Sequence, residues 1–162
     1  MRWTTTNLVL ALLATLPLVA FPGSAQAPEE RAVLATVERL FAGMRAADPE
    51  VTRSVLSTDA RFAMISSAGA VAVESMGGWL TAIGTSEGRW DERVYDVEVR
   101  VDGSMASVWA PYTFYLDGAV LHCGVNSIEL LRGVSGWRIT QLSDTRRMEG
   151  CPDPARGGST QR

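Results

Sequence analysis

Lysine is absent from these 162 residues, and all 15 basic positions are arginine. The arginines form no basic cluster, and 18 acidic residues leave a net charge of −3. That excludes the electrostatic footprint of a nucleic-acid binder. A GC-rich genome explains the missing lysine better than selection for bidentate anion binding. One histidine and two cysteines are too few for a zinc site of familiar spacing, and the acidic residues show no calcium-loop pattern. No G-x-S-x-G elbow, P-loop or dinucleotide glycine fingerprint occurs, and Gly77-Gly78 alone is no phosphate cradle. No metal and no cofactor is expected.

Long apolar runs are also missing, with one exception at the N-terminus. Arg2 precedes NLVLALLATLPLVAF at residues 7–21, then Pro22-Gly23 and Ala25-Gln26-Ala27. This has the order of a secretion signal, and the run is short for a membrane span. Residues 1–27 therefore read as a leader, cleaved after Ala27. Cleavage after Ala25 competes, because Pro28 in the first mature position hinders the peptidase. An uncleaved anchor is the alternative. No cysteine lies nearby to carry a lipid, so no stable membrane anchor is expected and the chain reads as secreted or periplasmic. Residues 28–150 form one folded domain, of a length that suits a single core, and residues 151–162 a disordered tail. In an oxidising compartment Cys123 and Cys151 pair, or Cys123 stays a buried thiol.

Within the domain the apolar period changes from helical to alternating. Val33, Val37, Leu40, Phe41 and Met44 make one stripe of a helix over 29–47. Asp48-Pro49-Glu50 caps and starts a second helix, ending near 56. A strand follows at 59–65, a loop at 66–73, and a third helix at 74–83, weakened by its two glycines. From Trp90 onward the pattern has period two, with hairpin signals at Asp102-Gly103 and Asp117-Gly118. Four strands result, an antiparallel meander ending near 146. A two-residue turn at Asp117-Gly118 sets Pro111 opposite Gly124, and the apolar phase changes across that level. A proline and a glycine facing each other mark a sharp bend. A strongly bent sheet with helices in its concavity is a cone, and a cone holds a pocket.

The order helix, helix, strand, helix, meander resembles the nuclear transport factor 2-like (NTF2-like) superfamily, which includes the SnoaL-like cyclases and ketosteroid isomerase. VDGSMASVWAPYTFYLDG-x-x-x-HCG, GWRI and DTRR-x-x-x-C look more narrowly like its lumazine-binding branch. The resemblance implies an α+β cone and a homodimer packed through the sheet. It also implies either binding of a small apolar or aromatic molecule, or isomerase, dehydratase or cyclase chemistry without a cofactor. No catalytic motif of those enzymes maps onto this chain residue by residue.

Candidate site residues follow from the chemistry a cone requires. His122, the single histidine, can move a proton near neutral pH, or it is a structural histidine bonded to neighbours such as Thr113. Asp144 suits a general base if desolvated; its plainer reading is an ion pair with Arg146 or Arg147. Asp59, at the start of the first strand, is a third candidate, with a cap or turn residue as its plainer reading. Tyr112 offers a hydrogen bond to an oxyanion. Phe62, Trp79, Trp109, Tyr112, Phe114 and His122 are the expected ligand-binding set, with Trp137 a packing residue. Three functions stay open: a binding pocket, a cofactor-free acid–base enzyme, and a scaffolding dimer whose cone is filled.

Overall fold

The apolar stripe read from the sequence starts the core. The computed structural model describes residues 23–153, and its first helix, α1 (Gly23–Arg45), buries Val33, Val37, Leu40, Phe41 and Met44. Of the expected leader, residues 1–22 lie outside the described residues; α1 passes through both candidate cleavage positions. Ala47, at φ 50°, turns the chain. Asp48 caps α2 (Pro49–Arg53), its Oδ1 accepting from the Glu50 and Val51 amides at 2.9 and 3.0 Å. α2 stops before its expected end, because Val55 and Leu56 already turn into the core as β1 (Leu56–Ser66) begins.

β2 (Val71–Glu74) folds back on β1 where the sequence suggested a loop. Its Val71 and Val73 are exposed, so burial leaves no alternating signature. Ser75 caps α3 (Met76–Thr85), and Leu80 and Ile83 anchor that helix in the core. Five strands follow rather than four: β3 (Trp90–Val94), β4 (Glu98–Asp102), β5 (Met105–Leu116), β6 (Ala119–Gly133) and β7 (Gly136–Arg146). The sheet runs β2-β1-β7-β6-β5-β3, with β4 also on β5. It is not wholly antiparallel, because β1 lies parallel to β7, Phe62 beside Leu142 and Met64 beside Asp144. Alternation reports which face a side chain takes and says nothing of strand direction, so this pairing left no trace in the pattern. The α+β class and the open, curved sheet with helices against its concave face hold as read.

The register at the bend differs from the expectation by one residue. Leu116 pairs Ala119 and Tyr115 pairs Val120, but Phe114 then pairs His122, leaving Leu121 as a bulge. Pro111 therefore faces Val125, and Gly124 faces Tyr112. The two residues act on opposite flanks of the β5–β6 hairpin. Proline has no amide to donate, and on its flank the outer strand breaks between β3 and β4, with Asp96 at φ 48°. On the other flank β7 comes so close that a Cβ on Gly124 would lie 1.7 Å from the Thr145 carbonyl oxygen. Only glycine allows that approach.

The apolar phase does not change along the concave face. Ala106, Val108, Ala110, Tyr112 and Phe114 all point inward, as do His122, Asn126, Ile128 and Leu130. Cys123 breaks the pattern because the convex face is covered there too. A disulfide joins Cys123 to Cys151, with Cα atoms 5.4 Å apart. Thr113 Oγ1 donates to the Pro152 carbonyl at 2.8 Å, and Tyr115 donates to Asp153 Oδ1 at 2.8 Å. The start of the expected disordered tail is thus bound as a strap across the back of the sheet. Among the described residues no helix is long and apolar enough to cross a membrane.

Candidate functional site

The narrow end of the cone is filled. Leu40, Val108, Ile128, Leu130 and Ile139 are each fully or almost fully buried there, around α1. The wide end holds a cavity of about 410 Å³. Its apolar wall includes Phe62 and Trp79, stacked with ring centres 4.5 Å apart. Across β5 and β6, Phe114 lies parallel to the His122 ring at 4.8 Å, and Trp90 meets Phe114 edge-on at 5.7 Å.

The bulge at Leu121 decides where His122 goes. Without it, His122 would pair Thr113 and share that residue's outer face; the one-residue slip sends it inward. Its Nδ1 lies 3.2 Å from the Tyr112 hydroxyl, which also lies 3.0 Å from Asp144 Oδ2 and 3.1 Å from the Thr145 carbonyl. Tyr112 has one proton, and the carboxylate and carbonyl can only accept. The proton goes to them, so His122 Nδ1 carries a hydrogen and donates to the Tyr112 oxygen. Nε2 is then the bare nitrogen, and it makes no hydrogen bond among the described residues, although His122 is 8% exposed and lines the cavity. Burial first, then the Arg146 charge, hold the imidazole down to about 4, with Asp144 opposing. The ring is neutral.

Asp144 takes its plainer role. Arg146, two residues along β7, donates Nε to Oδ2 at 2.6 Å and Nη2 to Oδ1 at 3.4 Å. With Tyr112 also on Oδ2, no lone carboxylate faces the cavity from this position. Burial opposes the Arg146 charge, but the hydrogen bond and charge of Asp144 outweigh it and raise its pKa. Tyr112, whose phenol burial and the carboxylates push well above its ordinary value, spends its proton inside this network. It positions His122 and Asp144 and does not line the cavity.

Glu92 and Asn126 complete the polar wall, and sequence reasoning missed both. Glu92 Oε1 accepts from Asn126 Nδ2 at 2.7 Å. Burial pushes the carboxyl up to about 7, and the Asp144 charge adds to this, against the Asn126 hydrogen bond and the Arg146 charge. A protonated carboxyl in a cavity near neutral pH is a proton donor. The pattern did contain a clue: Glu92 falls in phase with Trp90 and Val94, and Asn126 in phase with Ile128 and Leu130. A polar residue in the core phase of a strand must be hydrogen-bonded or functional.

Phe62, Trp79, Phe114, His122 and Asp144 all line the wide-end cavity. Trp109 does not. It is about half exposed on the convex face, because inward positions of β5 carry even numbers. Asp59 is exposed on β1. Among the described residues no group of three or more His, Cys, Asp or Glu side chains is placed to hold a metal.

No protein-family model matches the sequence, and no curated protein matches it. Solved structures do. A protein of unknown function from Mycobacterium tuberculosis is 17% identical and superposes with a TM-score of 0.67 over 88% of this chain and 83% of its own. An NTF2-like protein of Novosphingobium aromaticivorans is 13% identical, with a TM-score of 0.63 over 82% of this chain and 90% of its own. An NTF2-like family protein of Streptomyces avermitilis, described as a candidate dehydratase, is 18% identical, with a TM-score of 0.61 over 75% of this chain and 98% of its own. At such identities the likeness is one of fold. The filled narrow end, the hollow wide end and these superpositions together establish that the chain has the nuclear transport factor 2-like fold.

Proposed function

We propose that the chain is an exported domain that binds a small, flat, largely apolar molecule in the wide end of its cone. The observation that carries this is the 410 Å³ cavity, whose aromatic wall gives way to the buried polar atoms of Glu92, His122 and Asn126. Binding sites have this make-up, an apolar surface with a few fixed polar groups. A scaffold with a filled cone does not leave buried polar side chains facing an opening. The Cys123–Cys151 bridge is compatible with an oxidising compartment.

Native mass spectrometry of protein purified from its own host tests the reading. A mass excess of a few hundred daltons, released on denaturation, is expected. A bare mass, with no melting shift across a panel of fused-ring aromatics, contradicts it.

One observation favours a second reading, acid–base catalysis. Glu92 carries a proton near neutrality and His122 Nε2 is a bare base in the same cavity. The acid would be Glu92 and the base His122, replacing Asp144 and Tyr112 in those roles. A homodimer through the convex face is supported by exposed Met105 and Leu131, paired across β5 and β6, and by Trp109. Light scattering at micromolar concentration tests it: twice the chain mass is expected, and a monomer contradicts it.

A further inference from the structure

The strap and the polar wall of the cavity sit back to back on the same strands. Thr113 and Cys123 lie under the strap on the convex face, and Arg147 begins it. Their chain neighbours Phe114, His122 and Arg146 turn to the cavity by strand alternation. Thr113 and Cys123 are fully buried although they face away from the core, because the strap encloses them.

At this level the ladder between β6 and β7 is thin. Regular pairing ends at Asn126 and Asp144. Beyond it the Val125 amide donates to Thr145 Oγ1 at 3.1 Å, and Cys123 and Arg147 exchange two backbone hydrogen bonds, at 3.0 and 2.9 Å, as an isolated bridge. On its other side β7 has β1 only as far as Ser66, opposite Arg146. A lone rung opens more readily than a ladder. The disulfide supports it, returning the chain to β6 through a turn at Gly150, φ 64°. Between the last regular pair and this rung lie the Thr145 carbonyl and the Asp144–Arg146 pair, which hold Tyr112 and, through it, His122.

We infer that Cys151 is a site of thiol–disulfide exchange that sets the order of the cavity's polar wall. The two sulfurs are not equally open. Cys123 is fully buried and Cys151 only half-buried, so an incoming thiolate attacks Cys151 Sγ. The Sγ–Sγ bond breaks, and its electron pair leaves on Cys123, which takes up a proton because its apolar enclosure disfavours a thiolate. The reductant is a dithiol, and its second thiol resolves the mixed disulfide on Cys151. It departs as its own disulfide and leaves Cys151 a thiol. Two electrons and two protons have passed to the chain. The freed strap uncovers Thr113 and Cys123, the rung at Arg147 opens, and water reaches Asp144, Arg146 and His122. An oxidising compartment sets the wall and a dithiol slackens it. The latch acts on the wall itself, so its test needs no ligand.

Proton–nitrogen and methyl spectra of the full chain, oxidised and then reduced with dithiothreitol, supply that test. The His122 imidazole, held down to about 4 in the bridged chain, should rise by at least about one pH unit on reduction as its surroundings hydrate. Methyl resonances of Val108, Ile128 and Ile139 at the filled end should keep their positions. Cys151→Ser should show the raised midpoint without reductant and ignore dithiothreitol. Glutathione, a monothiol, should be trapped on Cys151 with Cys123 free. A bridge that resists dithiothreitol, glutathione on Cys123 or absent from Cys151, or an unchanged His122 midpoint overturns the inference. Loss of the filled-end resonances together with the wall also overturns it, since the bridge is then a staple of the whole fold.

Discussion

The two ends of the cone are built from the same strands and differ in what fills them. Around Val108, Ile128, Leu130 and Ile139 the concave face packs directly on α1. A few residues further along β5 and β6 the same face carries His122, Asn126 and Phe114 around open space. Between the two lies the level of Pro111 and Gly124, where the outer strand breaks and β7 closes in on the hairpin. One end is packed solid and the other encloses a cavity. Substitutions should separate the two ends.

The largest effect is expected where the ends meet. Gly124→Ala places a methyl against the Thr145 carbonyl, where neither backbone can give, and should cost at least about 3 kcal/mol in chemical denaturation. A cost under about 1 kcal/mol means the close approach is not required. Next comes the strap. Cys151→Ala opens the bridge and should lower stability by about 3 kcal/mol, while reducing agent has no further effect on that variant. At the filled end, Ile128→Ala should cost about 3 kcal/mol and leave ligand affinity within twofold. A large loss of affinity with intact folding would erase the distinction between the ends.

The hollow end should show an unusual pH dependence. Glu92 has a folded pKa of about 7 against an ordinary 4.5, so its contribution is present below 4.5 and is lost as pH rises through 7. That loss is on the order of 3 kcal/mol. His122 runs the other way, its contribution being present above about 6.5 and lost as pH falls through about 4. Between pH 4.5 and 6.5 the two slopes oppose each other. Glu92→Gln should leave stability rising with pH over that window, and His122→Asn should leave it falling. Parallel profiles for wild type and both variants would show that neither group is desolvated.

Much of the architecture was legible because it rests on local rules. The α1 stripe, the Asp48 cap and the hairpin turns are fixed by residues a few positions apart. The bend was legible too, but its register was not, because the bulge at Leu121 depends on how β5 and β6 twist together. That single residue decides which face His122 takes. Trp109 was misplaced although its parity with Val108 and Ala110 already set it outside. Glu92 and Asn126 went unread because a polar residue in a core phase shows its meaning only when its partner is known, and theirs lie 34 positions apart. The strap hid the phase of Cys123 by burying both faces of the sheet at one level.

The single histidine makes the hollow end directly observable. Long-range proton–nitrogen correlation spectra of His122, followed from pH 8 to pH 4 and then with a fused-ring aromatic probe, report tautomer and charge at one site. The account predicts a neutral ring protonated on Nδ1 down to about pH 5, with the Nε2 resonance shifting when the probe binds. A ring that titrates near 6.5 as free histidine does, or one protonated on Nε2 and indifferent to the probe, would contradict it.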